Sequence, residues 1–530
     1  MADINKLTAE NMISVIAELT KTIEELKSTI DTLQVTVQSL KDDNALLLEE
    51  NKYLKRKLFG SKSEKISHTD PQQLSLFDEA ENECEKEILE EIRYTRNKGR
   101  SKGERQLKLE NLKHVKELYD VEEKDRICDV CHSSMHRVGE EFVRSEVVYE
   151  PAKLYVKDIY RVSYECRKCR KNNKVSRIKA GTPNPVIPHS YASPSALTQI
   201  ITDKYVNHMP LYRQEAEWKR LGLKLSRTTM ANWIIIASKE YFIPLVNRMH
   251  ELLVQETHLH ADETSVQVLN EPGKEATSKS YMWVYSSIKE SQHPIKIFEY
   301  RPDRRAQNPQ NFLKGFKGTI ITDGYYGYSH IDGVSNAYCW AHCRRHFYDA
   351  LPGDIKDAQN TFAKEAIDKI AKLFVIEKEI ENLSSEEKVR VRQEKSLPLI
   401  DDFFSWCQTN ENRVLTRSKL GKAISYALKY EKGLRLYLED GYVPMTNSLD
   451  ERVIRPFTVG RRSWLFSNSV KGAEASAAAF SLVETAKANN LDPYDYIEYL
   501  LEIMPNIDFM KSPEKLDDFL PWSEQTQSVF

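Results

Sequence analysis

The stretch HLHADETSVQVL, residues 258–269, sets two adjacent carboxylates into what otherwise reads as a strand. Leu259 opens the run, and Val266 and Val268 alternate with polar neighbours, the period-two pattern of a half-buried strand. Asp is disfavoured in strands. If the strand is half buried, one of Asp262 and Glu263 points inward, where an unpaired charge is costly. A sheet edge or a turn would explain the pair without any chemistry. The alternative is a metal ligand that waits for carboxylates from elsewhere in the chain.

The neighbouring runs bear on that choice. KSYMWVYSSI and HPIKIFEY follow as a second and third strand, the turn-like EPGKEATS separating the first two. RRAQNPQNFLKGF reads as a helix, GTIITDGYYGY as a fourth strand ending in Asp323, and NAYCWAH as a fifth. Three strands, then helix, strand, strand and helix, is the order of an RNase H-like domain, in which the first and fourth strands lie side by side at the sheet centre. Asp262 and Asp323 are then expected to meet. Asp-Gly is also a plain turn signal, and the paired strand context favours the site. Two Asp and a further acid could hold a pair of Mg²⁺ ions about 3.5–4 Å apart, since Mg²⁺ takes few protein carboxylates and completes its shell with water and phosphate oxygens.

The third acid must come from a helix packed on the sheet, and Glu451 in NSLDERVIRPF is the candidate. Ser448 and Glu451 also match a capping box, and both roles can hold together. Asp450 stands beside Glu451, and Glu439 and Asp440 lie just upstream, so position alone does not choose. Arg452, Arg455, Arg461 and Arg462 suit a phosphate-lined groove. Trp464 offers a ring for an unpaired base, a core position being the other reading.

A length of 530 residues is enough for three or four domains, and 40% hydrophobic with 10% aromatic residues supports at least one large core. Formal net charge is −2, so any nucleic-acid binding must come from local basic patches. No export signal is visible, and no apolar run reaches the roughly 18 residues needed to span a bilayer. The eight cysteines include two CxxC pairs, which without an export signal favours metal over disulfides. These features predict a soluble cytosolic protein.

At the N-terminus, Met12, Leu19, Leu26, Leu33, Leu40, Leu47 and Leu54 recur every seven residues, with Ile16, Ile23, Ile30, Val37, Asn44, Asn51 and Leu58 between them. β-branched residues at a and Leu at d predict a parallel two-stranded coiled coil over 12–58, with Asn44 and Asn51 fixing register. An acidic block and then a basic one follow, read as a solvated linker. CDVC at 128–131 and CRKC at 166–169 bracket strand-like runs. Cys128, Cys131, Cys166 and Cys169 could hold one structural Zn²⁺. Further on, LYRQEAEWKRLG, LKLS and RTTMANWIIIA outline helix, turn and a second helix capped by Ser226. Arg227 opens the candidate recognition helix, although two packed helices are common in any α-rich domain.

Taken together, the zipper with KLFGSKSEK, the two CxxC pairs, HADET, TDGYYGY, CWAHCRRHF and the run from NSLDERVIRPF to IEYLL resemble the insertion sequence 66 family of bacterial DDE transposases over nearly the whole length. CWAHCRRHF departs slightly from the usual form of its motif at Cys343 and His346. The resemblance implies that Asp262, Asp323 and Glu451 are the catalytic triad, holding two Mg²⁺ (or Mn²⁺) ions. His342 is then a candidate for orienting the scissile phosphate, a packing role being its alternative. The resemblance implies a multidomain α/β protein: a coiled coil (1–60), a charged linker (61–125), a zinc ribbon (126–180), a helical DNA-binding region (181–254), an RNase H-like core in two parts (255–342 and 441–505) split by a helical insertion (343–440), and a C-terminal tail (506–530). The implied activity is cleavage at the element's ends and strand transfer into target DNA. It implies a homodimer through 12–58, contacts with terminal inverted repeats, accessory proteins of the same element, no membrane, and a place on the bacterial nucleoid. An RNase H-like nuclease that cuts without joining, and a catalytically inactive DNA-binding regulator, are the competing readings.

Overall fold

The computed structural model describes residues 181–352 and 361–530, with short pieces ahead of them at 20–24, 26–34, 36–37, 153–160, 162–165 and 177–179. The four ribbon cysteines and most of the heptad region lie outside the described residues. Residues 20–24, 26–34 and 36–37 are helical, and Ile23, Leu26, Ile30, Leu33 and Val37, all at a or d positions, are exposed on that helix. Two short strands, β1 (Ser163–Glu165) and β2 (Arg177–Lys179), pair antiparallel in the ribbon region.

The main sheet is built on β3 (His258–Asn270), whose 13 residues make it the longest strand described. It joins β4 (Lys279–Ser287), β5 (Lys296–Arg301), β6 (Gly318–Thr322) and β7 (Val334–Tyr338) in the order β5-β4-β3-β6-β7. The β3–β4 and β4–β5 pairs are antiparallel, and β3–β6 and β6–β7 are parallel. The first and fourth of these strands are thus neighbours at the sheet centre, as expected. A short strand absent from the sequence reading, β8 (Ser467–Ser469), pairs in parallel with the far end of β3.

Among the residues described from 181 onward, four helices lead into the sheet: α1 (Pro194–Tyr205), α2 (Leu211–Arg220), α3 (Arg227–Ala237) and α4 (Ile243–Leu253). Ser226 caps α3, its Oγ accepting from Thr229 N. Between β5 and β6 lies α5 (Gln307–Phe312). After β7 the chain is helical through α6 (Trp340–Tyr348), α7 (Phe362–Glu379), α8 (Ser385–Val391), α9 (Leu397–Glu411), α10 (Lys419–Lys429) and α11 (Glu431–Arg435). These helices bury an apolar core of their own around Trp340, Phe347, Phe403, Phe404 and Ile424. Then come α12 (Ser448–Trp464), α13 (Val470–Ala488) and α14 (Pro493–Ile503).

A second, larger core joins the sheet to α1–α4 and to α12–α14. Helix α13 can lie close on β5 because its buried face is small: Ala473, Ala477, Ala478, Ser481 and Thr485. Its hydroxyls finish the outer edge of that strand. Ser481 Oγ accepts from Phe298 N at 2.8 Å, and Thr485 Oγ1 accepts from Lys296 N at 3.0 Å. A sheet edge covered this way cannot template another strand. Residues 506–530, which read as a tail, are folded onto this core through Phe509, Leu516, Phe519 and Leu520. Arg248 on α4 is bonded to Asp517 at 2.6 Å.

Candidate active site

Strands β3 and β6 pair with His258 opposite Thr319, Leu259 opposite Ile320 and His260 opposite Ile321. Two residues further along each strand stand Asp262 and Asp323. The same register carried forward sets them level on chains about 5 Å apart. Asp323 is the first residue past β6. Its Oδ1 accepts from Tyr325 N at 2.9 Å, and its carbonyl accepts from the Tyr426 hydroxyl of α10 at 2.7 Å. The next residue, Gly324, has φ +94°, and a Cβ there would stand 2.9 Å from the Tyr426 hydroxyl. Glycine is therefore needed for both conformation and space.

The two carboxylates of HADET have different fates. Glu263 is fully engaged: Arg304 Nε donates to it at 2.6 Å, a second Arg304 nitrogen also donates, and the Tyr328 hydroxyl donates at 2.9 Å. Arg304 lies 4.1 Å from the Tyr325 ring centroid, with one nitrogen 4.0 Å from Asp323 Oδ2. Among the described residues Asp262 accepts a single bond, from Glu263 N at 2.8 Å. Burial holds the Asp262 carboxyl well above the usual carboxylate range, and repulsion from Glu263, Asp323 and Asp450 pushes it the same way.

Helix α12 delivers the remaining acids, and its start differs from the expected capping box. Asn447, not Ser448, occupies the cap position, and its side chain makes no cap bond. It is turned to the sheet instead: Nδ2 donates to Ala261 O at 3.1 Å, and Oδ1 lies 2.6 Å from His260 Nδ1. Ser448 Oγ accepts from Thr446 Oγ1. The helix start is thus pinned to β3 at the two residues just before Asp262, and the Glu451 carboxyl is left unspent. Glu451 Oε1 is buried with no hydrogen-bond partner among the described residues, 3.8 Å from His342 Nδ1. Burial pushes the Glu451 carboxyl up to about 8. Arg345 and Arg455 oppose this, and Asp450 and Asp323 add to it.

Asp450 is sealed at 0% exposure, against 9% for Glu451. It accepts from the Ser286 hydroxyl of β4. Burial pushes its carboxyl up to about 8, against the pull of Lys296. Lys296 Nζ in turn donates to Ser287 O at 3.0 Å. Upstream, Asp440 is paired with His258 Nε2 at 2.7 Å. Burial lowers the His342 imidazole, with the Asp323 charge opposing. Among the described residues no three His, Cys, Asp or Glu side chains already enclose a metal position.

The other candidate contacts divide by exposure. Arg227, Arg455 and Arg462 are exposed. Arg461 is half buried and donates to Thr264 Oγ1 at 3.1 Å and to Ser265 O, which ties α12 to β3. Trp464 packs beside Tyr205 and Phe480 at the core margin. The sequence reading did not single out Ser286, Lys296, Arg304, Asn447 or Tyr426. Asn447 stood within a quoted motif, but its bonds to β3 cross 186 and 187 residues of chain.

Residues 189–475 match the family described as Transposase IS66 family, and 481–522 match its C-terminal element. Residues 125–170, which hold all four CxxC cysteines, match the zinc-finger binding domain of transposase IS66. Residues 46–116, including much of the charged segment, match the description Transposase C of IS166 homeodomain. The chain belongs to the IS66 family of transposases, which gives it a transposase role. Among its relatives are two uncharacterized proteins of Sinorhizobium fredii (strain NBRC 101917 / NGR234). One, y4hP, is 30% identical over 424 residues, 76% of this chain and 74% of the relative. The other, y4jD, is 29% identical over 509 residues, 91% and 95%. The Drosophila P element transposase strand transfer complex aligns over 62% of this chain and 94% of that one at 12% identity, with a TM-score of 0.21, too small a likeness to bear on the fold. No helix among the described residues is long and apolar enough to cross a membrane.

Proposed function

We propose that the chain is a DDE transposase with an RNase H-like catalytic core, whose triad is Asp262, Asp323 and Glu451. One observation carries the reading: Asp262 and Asp323 stand level on adjacent central strands, and the underbonded Glu451 carboxyl of α12 comes within electrostatic reach of Asp323. Buried carboxylates that repel each other and lack donors suit a hard divalent cation. The three acids would hold Mg²⁺ or Mn²⁺, two ions per site, which when bound supply polarisation of the attacking and leaving oxygens. The chain's own residues do the rest. Glu263 and Arg304 fix the loop that carries Asp323, and Asn447 fixes the start of α12. His342 stands beside Glu451 where a scissile phosphate would be oriented. Arg455 and Arg462 on the exposed face of α12, with Arg227 on α3, contact DNA phosphates.

In the reaction, water attacks the phosphodiester at the element end. The freed 3′-hydroxyl then attacks target DNA, each step releasing a 3′ oxygen. The heptads over 12–58 join two chains, matching the need to hold two ends, and the exposed seam from Ile23 to Val37 supports that pairing. Cys128, Cys131, Cys166 and Cys169 bind one structural Zn²⁺ per chain, and metal analysis of folded protein should find it. DNA partners are the terminal inverted repeats and the target, with accessory proteins of the element. The test is purified protein with its own element ends and Mg²⁺, scored for 3′ cleavage and for joining of pre-cleaved ends. Cleavage without joining would make it a nuclease. Binding with neither activity would make it a regulator.

A further inference from the structure

The end of α12 carries a feature that the acids do not explain. Leu465, directly after the helix, has φ +65° and ψ −48°. Phe466 N donates across it to Trp464 O at 2.8 Å, which closes a γ-turn of the rare, strained hand. Such backbone persists only where its surroundings impose it, and here they do. Before the turn, Trp464 packs beside Tyr205 and Phe480, and a Cβ at Gly460 would run into the Trp464 ring. After it, Ser467 and Ser469 pair with β3, and Ser469 caps α13. This rigid frame holds two apolar side chains out in solvent. Leu465 is 64% exposed and Phe466 41%, and neither joins either core.

The approach to the turn is basic. Arg455, Val459 and Arg462 follow one another at helical spacing on the exposed face of α12, and Phe466 stands two residues past its end. The side chains of Arg455 and Arg462 have no ion pair or hydrogen bond among the described residues. By contrast, Arg248, Arg304, Arg392 and Arg435 are each held by a carboxylate. The stripe begins one turn from Glu451. At 1.5 Å per residue, its apolar end lies on the order of 20 Å from that acid, or roughly six nucleotides along a DNA strand.

We propose that Leu465 and Phe466 form a nucleobase wedge: they insert against an unstacked or unpaired base of the element-end DNA while Arg455 and Arg462 hold the phosphates leading to the reacting one. Positive charge beside exposed apolar side chains selects DNA as the occupant. Apolar wedges of this kind unstack base steps, and a base stacked on an aromatic ring is a recognised contact for unpaired strands. The proposal rests on the transposase reading of the site and adds to it a preference for locally opened DNA. Trp464, the ring chosen from the sequence, supports the wedge from behind.

The test uses full-length protein without divalent metal and element-end duplexes carrying single 2-aminopurines at positions 1–12 from the cut. Wild type should brighten the probe at about position six. It should also prefer an end with an unpaired base there by about fivefold or more over the intact duplex. Phe466→Ala and Leu465→Gly should lose both effects. Leu465→Gly should keep or raise the melting temperature, because glycine accepts the positive φ and no buried side chain is lost. A structural role for Leu465 would lower it instead. Asp262→Asn separates this proposal from the site reading, since it should lose cleavage in Mg²⁺ yet keep the probe signal. No brightening in wild type at any position, or brightening that survives in both wedge variants, would overturn the wedge.

Discussion

Two regions of this molecule bury charge, and they do so in opposite ways. In the helical block, Arg392 is 2% exposed and every arm of its guanidinium is used. Glu377 takes two bonds at 2.8 and 2.7 Å, and the carbonyls of Tyr437, Asp440 and Val443 take the third nitrogen. Where β3 runs beside the C-terminal end of β6, five acids gather, Asp262, Glu263, Asp323, Asp450 and Glu451, and Arg304 answers Glu263 far better than the rest. Asp262 has one backbone donor, and Glu451 Oε1 has none among the described residues. Satisfied buried charge holds a loop in place, here the one that leads into α12. Unsatisfied buried charge costs stability and is kept where chemistry needs it.

That contrast predicts opposite responses to removing charge. Arg392→Ala should cost about 3–5 kcal/mol, as breaking one side of a buried pair does, read as a shift in the denaturant midpoint. Lys should not restore it, because the fork to Glu377 and the carbonyls is lost. A cost under about 1 kcal/mol would dissolve the comparison. Asp262→Asn should leave the melting temperature unchanged or raised, since it removes a carboxylate that its neighbours repel. It should reduce cleavage by well over the about 100-fold that loss of an outer-shell partner gives.

Smaller effects sharpen the picture. Ser286→Ala removes the donor to buried Asp450 and should cost about 1–3 kcal/mol, with cleavage per folded molecule kept. Arg462→Ala touches neither core nor sheet. It should leave stability unchanged and reduce the salt slope of DNA binding by about 1. An unchanged slope would remove Arg462 from the DNA path.

The sheet was legible in the sequence because its strands are runs of strand length separated by turn chemistry, and because Asp262 lies on the first strand and Asp323 just past the fourth. The order of those runs was enough to expect the two strands side by side. Other features were illegible for physical reasons. A three-residue strand such as β8 has no periodicity to detect. The packing of 506–530 depends on four scattered apolar residues finding a core built by helices far away in the chain. Ser448 and Glu451 spelled a capping box correctly, yet Asn447 took the cap position because His260 and Ala261 offered its side chain better partners. Whether Trp464 or its neighbours face solvent turns on the φ of Leu465, which no residue pattern encodes.

The central claim is that Glu451, and not Asp450, completes the site. Asp450 is sealed and bonded to Ser286, a setting that Asn also fits. Glu451 is the acid left open toward Asp323. The deciding measurement compares Glu451→Gln with Asp450→Asn for Mg²⁺-dependent cleavage and joining of element ends, with melting temperatures recorded alongside. The account predicts that Glu451→Gln keeps near-normal stability and DNA binding but loses both reactions, while Asp450→Asn retains substantial activity. Normal cleavage by Glu451→Gln together with a dead, folded Asp450→Asn would contradict it.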